Sequence, residues 1–233
     1  MTAQVWLQGG GEFSPGCAPM DAELVRGVDG PVVVTALAGT VGRDYATASE
    51  NGARHLRGVG ASEVVVAPDV REDPAGALEA LRTARLVVLP GGSPSRLLTA
   101  LQDTGVAEVL AALLASGGAV MGSSAGAMVL GSWTVLPDRR GHDGVPSVVP
   151  GLALVPGVLV VPHWSGPASR TDWLRALEAH VPAEVHVLGL AEQSGVRVVG
   201  RALTVVGQHP AALVRQDRTL HPGQGLDLPP PAA

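Results

Sequence analysis

Gly122-Ser123-Ser124-Ala125-Gly126, preceded by Ala119-Val120-Met121 and followed by Ala127-Met128-Val129-Leu130, decides how this chain is read. An apolar run leads in and small residues lead out, an order that predicts strand, sharp turn and helix. In such a turn a serine is held on a strained backbone with its hydroxyl exposed. The glycines two before and two after it remove side chains that would collide. Amides at the helix start point to where negative charge would develop. Ser124 is therefore the candidate nucleophile. A Gly-x-Ser-x-Gly in a chain with 31 glycines is also what a plain turn looks like, so the rest of the sequence must decide.

Working outward, short apolar runs alternate with helical patterns. Val5-Trp6-Leu7 runs into Gly9-Gly10-Gly11, and Val32-Val33-Val34-Thr35-Ala36-Leu37 is followed by a helical pattern over 45–57. Glu63-Val64-Val65-Val66-Ala67 precedes a helix over 74–84, and Leu86-Val87-Val88-Leu89 enters Pro90-Gly91-Gly92. A helix over 107–116 then precedes the strand at Ala119. Near-continuous Val/Leu runs between helices are what a parallel sheet covered on both faces requires. The second half reads differently, with short strands over 154–161, 185–190, 196–199, 203–206 and 212–214 and a helix over 170–180. The expected fold is α/β: a mostly parallel central sheet flanked by helices, closed by a C-terminal antiparallel β segment. One domain is expected over residues 1–225, with a Pro/Ala-rich, disordered tail over 226–233.

Composition narrows the function. In 233 residues, 46% are hydrophobic and 16% charged, as in a well-buried globular protein, and a net charge of -5 argues against a nucleic-acid surface. All sixteen basic residues are arginines. Schiff-base chemistry, a P-loop lysine and a lysine general base are excluded. A single cysteine, Cys17, rules out an intrachain disulfide. The N-terminus lacks the basic and apolar regions of a signal peptide, and no apolar run approaches the roughly 20 residues that span a bilayer. A soluble cytoplasmic protein is expected, with no membrane partner, no cofactor and no metal.

Ligands of an open α/β sheet sit at the carboxyl ends of its strands. Three glycine loops fall there: Gly9-Gly11, Gly91-Gly92 and Gly122-Gly126. The Gly91 and Gly92 amides could join that of Ala125 as an oxyanion hole. A serine nucleophile needs a base, and the histidines after it are His142, His163, His180, His186, His209 and His221. His163 directly follows a Val-rich strand and is best placed; His180 falls at a helix C-terminus, His186 inside a strand, and His209 and His221 beside prolines. For the acid that orients the base, Glu192 follows the strand over 185–190, with Asp138 and Asp143 as competitors in the loop after the nucleophile helix.

These residues, in the order Ser, His, Glu, resemble the peptidase E (aspartyl dipeptidase) and cyanophycinase family of serine peptidases. The likeness is carried by Gln8-Gly9-Gly10-Gly11-Glu12, Leu89-Pro90-Gly91-Gly92-Ser93 with Leu97-Leu98, Gly122-Ser123-Ser124-Ala125-Gly126-Ala127, Val161-Pro162-His163-Trp164 and Val187-Leu188-Gly189-Leu190-Ala191-Glu192. The resemblance implies a fold like the class I glutamine amidotransferases, of flavodoxin-like three-layer type, with serine in place of the cysteine nucleophile. It implies a Ser124-His163-Glu192 triad, a small peptide substrate with an N-terminal or β-linked aspartate, and a homodimer. It also implies substrate contacts from Arg170, on the helix after the histidine, and from Ser93, which stands where the dipeptidases have asparagine. Trp173 stands where a further arginine is expected, and Val161 replaces the aspartate that cyanophycinases place two before the histidine. These departures fall on the substrate side of the site.

Two rival readings remain at this stage. An α/β-hydrolase esterase shares Gly-x-Ser-x-Gly but places its acid before its histidine, an order that Asp138 with His209 or His221 would supply. A catalytically silent amidotransferase-like binding module would keep the turn without the chemistry.

Overall fold

The structure, a computed structural model, describes residues 2–141 and 144–228. Two of the sequence candidates, His142 and Asp143, lie outside the described residues, as does 229–233 of the expected tail.

Five of the predicted buried runs are strands of one parallel array: β1 (Gln4–Gln8), β2 (Val32–Val34), β3 (Val64–Val66), β4 (Leu86–Leu89) and β5 (Ala119–Ser123). They lie in the order β1-β5-β4-β2-β3, each parallel to its neighbour. Side chains alternate across the sheet, so each run supplies two cores. Trp6, Val32, Val34, Leu86, Val88 and Met121 pack under α1 (Ala18–Arg26) and α2 (Arg43–Gly58), against Met20, Leu24, Ala53 and Leu56. Leu7, Val33, Val87, Leu89 and Val120 face the other way. They meet residues of α3 (Pro74–Thr83), α4 (Pro94–Asp103), α5 (Val106–Ala115) and α6 (Ala125–Leu130), among them Leu81, Leu97, Leu110 and Val129.

The helices begin where the sequence places good starts. Ser93 caps α4 by accepting from the Arg96 amide at 3.2 Å, with Pro94 in the first turn, and Asp73 does the same for α3 from Gly76 at 3.0 Å.

The second half contains the expected antiparallel segment but does not form one sheet. It divides between two sheets. Strands β10 (Ser194–Val199), β11 (Ala202–Gly207) and β14 (Gly225–Asp227) extend the first sheet antiparallel from β1. A second, six-stranded sheet holds β6 (Gly131–Arg140), β7 (Pro146–Pro150), β8 (Val155–Val161), β9 (His186–Leu190), β12 (Ala211–Leu213) and β13 (Arg218–Leu220). Here β8 is parallel to both β6 and β9. The reason is the helix α7 (Thr171–His180) between β8 and β9, which gives a parallel pair the long crossover it needs. Leu159 and Val161 pack beneath α7 against Leu177, while Val158 and Val160 face the central core.

Two further corrections concern loops. Asp138, expected in a loop, is in β6. Residues 226–228, expected to open a disordered tail, are fixed instead: Leu226 pairs with Leu203, and Leu228 is buried with its amide bonded to the Arg201 carbonyl at 2.8 Å. Apolar side chains at 226 and 228, together with the open edge of β11, outweigh the Pro/Ala composition beyond them.

Candidate active site

Three neighbouring strand ends build the first half of the site. Gln8 pairs in register with Ser123, and Leu89 with Gly122, so the loops that leave β1, β4 and β5 emerge side by side. The turn after β5 is as tight as the sequence predicts. Ser124 has φ 50°, ψ -112° and heads α6. A side chain on Gly122 would run into the Gly126 carbonyl, and one on Gly126 into the Leu89 oxygen, so both positions need glycine. The strained backbone is held from below by the Ser124 amide, which donates to the Gln8 oxygen at 3.0 Å.

The other half comes from the second sheet. Val161 pairs with Gly189, so the residues that follow β8 and β9 also emerge together. The first glycine loop joins this edge to the main sheet. The Gly9 carbonyl accepts from the His163 amide at 2.8 Å, and the Gly10 carbonyl accepts from the Gln193 amide at 3.0 Å. Gly10 has φ 123°, and a Cβ there would strike the His163 ring.

Within this frame Ser124 Oγ lies 2.9 Å from His163 Nε2, and His163 Nδ1 lies 2.8 Å from Glu192 Oε1. Thus the structure brings together Ser124, His163 and Glu192. A carboxylate on Nδ1 fixes the tautomer that leaves Nε2 free to accept a hydroxyl proton. Among the competitors, Asp138 bonds the Ser95 hydroxyl instead. The His209 and His221 amides are tied to Ser194 and Gln224, and the esterase order of acid before histidine finds no counterpart in these contacts. The His186 ring faces Gln216 at 3.4 Å, and burial pushes its imidazole below the ordinary range.

The three expected oxyanion amides do not stand alike. Ala125 is the first residue of α6 and Gly92 is exposed, but the Gly91 amide donates to Glu12 Oε1 at 2.8 Å. The other Glu12 oxygen accepts from the Ser123 hydroxyl at 3.1 Å. Both expected substrate-binding side chains have bonds within the chain, though Arg170 Nε has no partner among the described residues. Ser93 caps α4. Arg170 donates from Nη2 to the Pro162 and His163 oxygens at 3.1 and 3.4 Å and stacks 5.1 Å over Trp173, which braces the histidine turn. Sequence reasoning missed Glu12; its signal was a charged residue closing a glycine run at a strand end.

A cavity of ≈ 420 Å³ lined by Ser93, Arg96, Thr99 and Asp138 adjoins the second glycine loop. Among the described residues no cluster of His, Cys, Asp or Glu could hold a metal ion, and no single helix is long and apolar enough to cross a membrane.

Comparison with known proteins bears on this arrangement. The model of peptidase family S51 matches residues 37–206, a span that includes Ser124, His163 and Glu192 and leaves out the Gly9–Glu12 loop. A curated relative, peptidase E of Streptomyces coelicolor A3(2), is 34% identical over 149 residues, or 60% of this chain and 59% of that protein. Among solved structures, a peptidase from an acI-B1 actinobacterium superposes with a TM-score of 0.77 at 21% identity over 97% of each chain. A protein from Listeria monocytogenes EGD-e, provisionally assigned as peptidase E, gives 0.64 at 17% identity over 89% of this chain and 100% of its own. At these identities the two structures speak for the fold.

Proposed function

The chain belongs to peptidase family S51, a family of serine-type peptidases, and from that premise we propose that it hydrolyses small peptides through an acyl-enzyme on Ser124. The observation that carries the proposal is the continuous chain of bonds from Ser124 Oγ through His163 to Glu192. Ser124 attacks the scissile carbonyl while His163 Nε2 takes its proton. The proton returns to the leaving amine as the tetrahedral intermediate collapses to the ester. Water, activated by the same imidazole, then releases the acyl group. Glu192 holds the ring and balances the imidazolium charge.

In this proposal the Ala125 and Gly92 amides stabilise the oxyanion, since the Gly91 amide is already bonded to Glu12. Arg170 and Ser93 receive no part in reading aspartate, because their polar groups serve the His163 turn and the α4 N-terminus. An N-terminal or β-linked aspartate thus rests on the resemblance alone, as do the homodimer and the cytoplasmic setting. Incubating the protein with a dipeptide library and reading products by mass spectrometry tests the activity. Release of amino acids that stops on Ser124→Ala supports it; an intact library with folded protein overturns it.

A further inference from the structure

Glu12 stands beside the nucleophile, and the triad chemistry gives it no task. Its two oxygens accept from neutral donors, the Gly91 amide at 2.8 Å and the Ser123 hydroxyl at 3.1 Å. A Cβ placed on Gly91 would lie 2.7 Å from Glu12 Oε1 and 3.0 Å from Ser124 Cβ, so carboxylate and nucleophile flank one point. Among the described residues no basic side chain pairs with Glu12: the ion pairs are those of Asp21, Asp69, Asp172, Glu192 and Glu23. The chain has no lysine, and the Arg170 Nη atoms are bonded to main-chain oxygens.

A lone carboxylate so close to a forming oxyanion opposes that charge. It helps only if the substrate brings a cation to it. The distance limits which cation. The α-nitrogen of the attacked residue is two bonds from its carbonyl carbon, about 2.5 Å from standard bond lengths and angle, whereas a side-chain guanidinium or ammonium is several bonds further. Each Glu12 oxygen retains a second lone pair for such a donor. Building on the serine-hydrolase reading, we propose that Glu12 receives the free α-ammonium of the residue whose carbonyl Ser124 attacks. Glu12 is then a specificity-determining residue that sets the preference for a free amino group on the attacked residue. Internal peptide bonds, which offer a neutral amide at that place, leave the carboxylate charge uncompensated and react poorly.

Protection of Ser124 from a fluorophosphonate probe tests this. The competitors are dipeptides with each N-terminal residue and their α-hydroxy counterparts, which replace the ammonium by an uncharged group of similar size. The wild type is expected to be protected by the amines at concentrations about tenfold or more below those of the hydroxy analogues. In Glu12→Gln that ratio collapses towards one, and Glu12→Asp retains part of it. A ratio near one in the wild type, or an equal loss of both competitors in Glu12→Gln, overturns the role of Glu12. Absence of probe labelling in the wild type overturns the underlying hydrolase reading instead.

Discussion

His163 Nδ1 lies 2.8 Å from Glu192 Oε1, and Glu192 is the one described carboxylate that pairs with this ring. This contact is why Glu192, of the acids left open by the sequence, is the one proposed to orient the histidine. Glu192→Gln replaces the acceptor by a group that can donate to Nδ1 and favour the wrong tautomer. Fluorophosphonate labelling and kcat are expected to fall by about a hundredfold or more. Asp138→Asn, which touches Ser95 rather than the histidine, is expected to label as the wild type does. Loss in Asp138→Asn with full labelling of Glu192→Gln would reverse the assignment.

Arg170 supports the histidine from the other side. Its bonds to the Pro162 and His163 oxygens hold a turn in which His163 has φ 50°. Arg170→Ala is expected to lower kcat/KM by roughly tenfold, and by the same factor for peptides led by aspartate and by alanine. A loss confined to the acidic peptides would restore the carboxylate-binding role that the resemblance implies.

Gly10 carries both a positive φ and the ring of His163 against its α-carbon. Gly10→Ala should cost about 1–3 kcal/mol of stability from backbone strain, read as a lower denaturation midpoint. Displacing the imidazole by an ångström should also lower kcat by about a hundredfold. Unchanged kcat would mean that the ring does not need the wall this loop provides.

Cys17 gives a pH test. Burial pushes its thiol above the ordinary value of 9.0, and its Sγ–H donates to the Gly11 oxygen at 3.2 Å. A raised folded pKa means that the native state holds the proton more tightly than the unfolded chain does. Its contribution is therefore full below the ordinary thiol range and is lost as pH rises through it. The drop in Tm between neutral and strongly alkaline pH should be smaller in Cys17→Ser, which keeps a donor that does not ionise. Native protein should resist iodoacetamide at neutral pH. Rapid alkylation with loss of activity would give the thiol a part in the chemistry.

What the sequence could show follows from the physics of each part. Strands buried on both faces must be apolar throughout, so β4 and β5 were visible, and Gly122 was demanded by its contact with Gly126, only four residues on. By contrast β6 begins Gly-Ser-Trp and ends Pro-Asp-Arg-Arg, with its last three residues exposed, and it hides its period. The division of the second half between two sheets depends on β1 choosing β10 as a neighbour, a pairing across nearly the whole chain. His163 and Glu192 stood out as candidates because each falls two residues past the end of an apolar strand. Glu12 stood out less, since its partners Gly91 and Ser123 lie 79 and 111 residues away.

The central claim is that Ser124 is a nucleophile activated by His163. The most direct measurement is the rate at which a fluorophosphonate labels the protein, followed by peptide mapping. Wild-type protein should carry the label on Ser124, Ser124→Ala should carry none, and His163→Ala should react at least about a hundredfold more slowly. Labelling of His163→Ala at the wild-type rate would contradict the account.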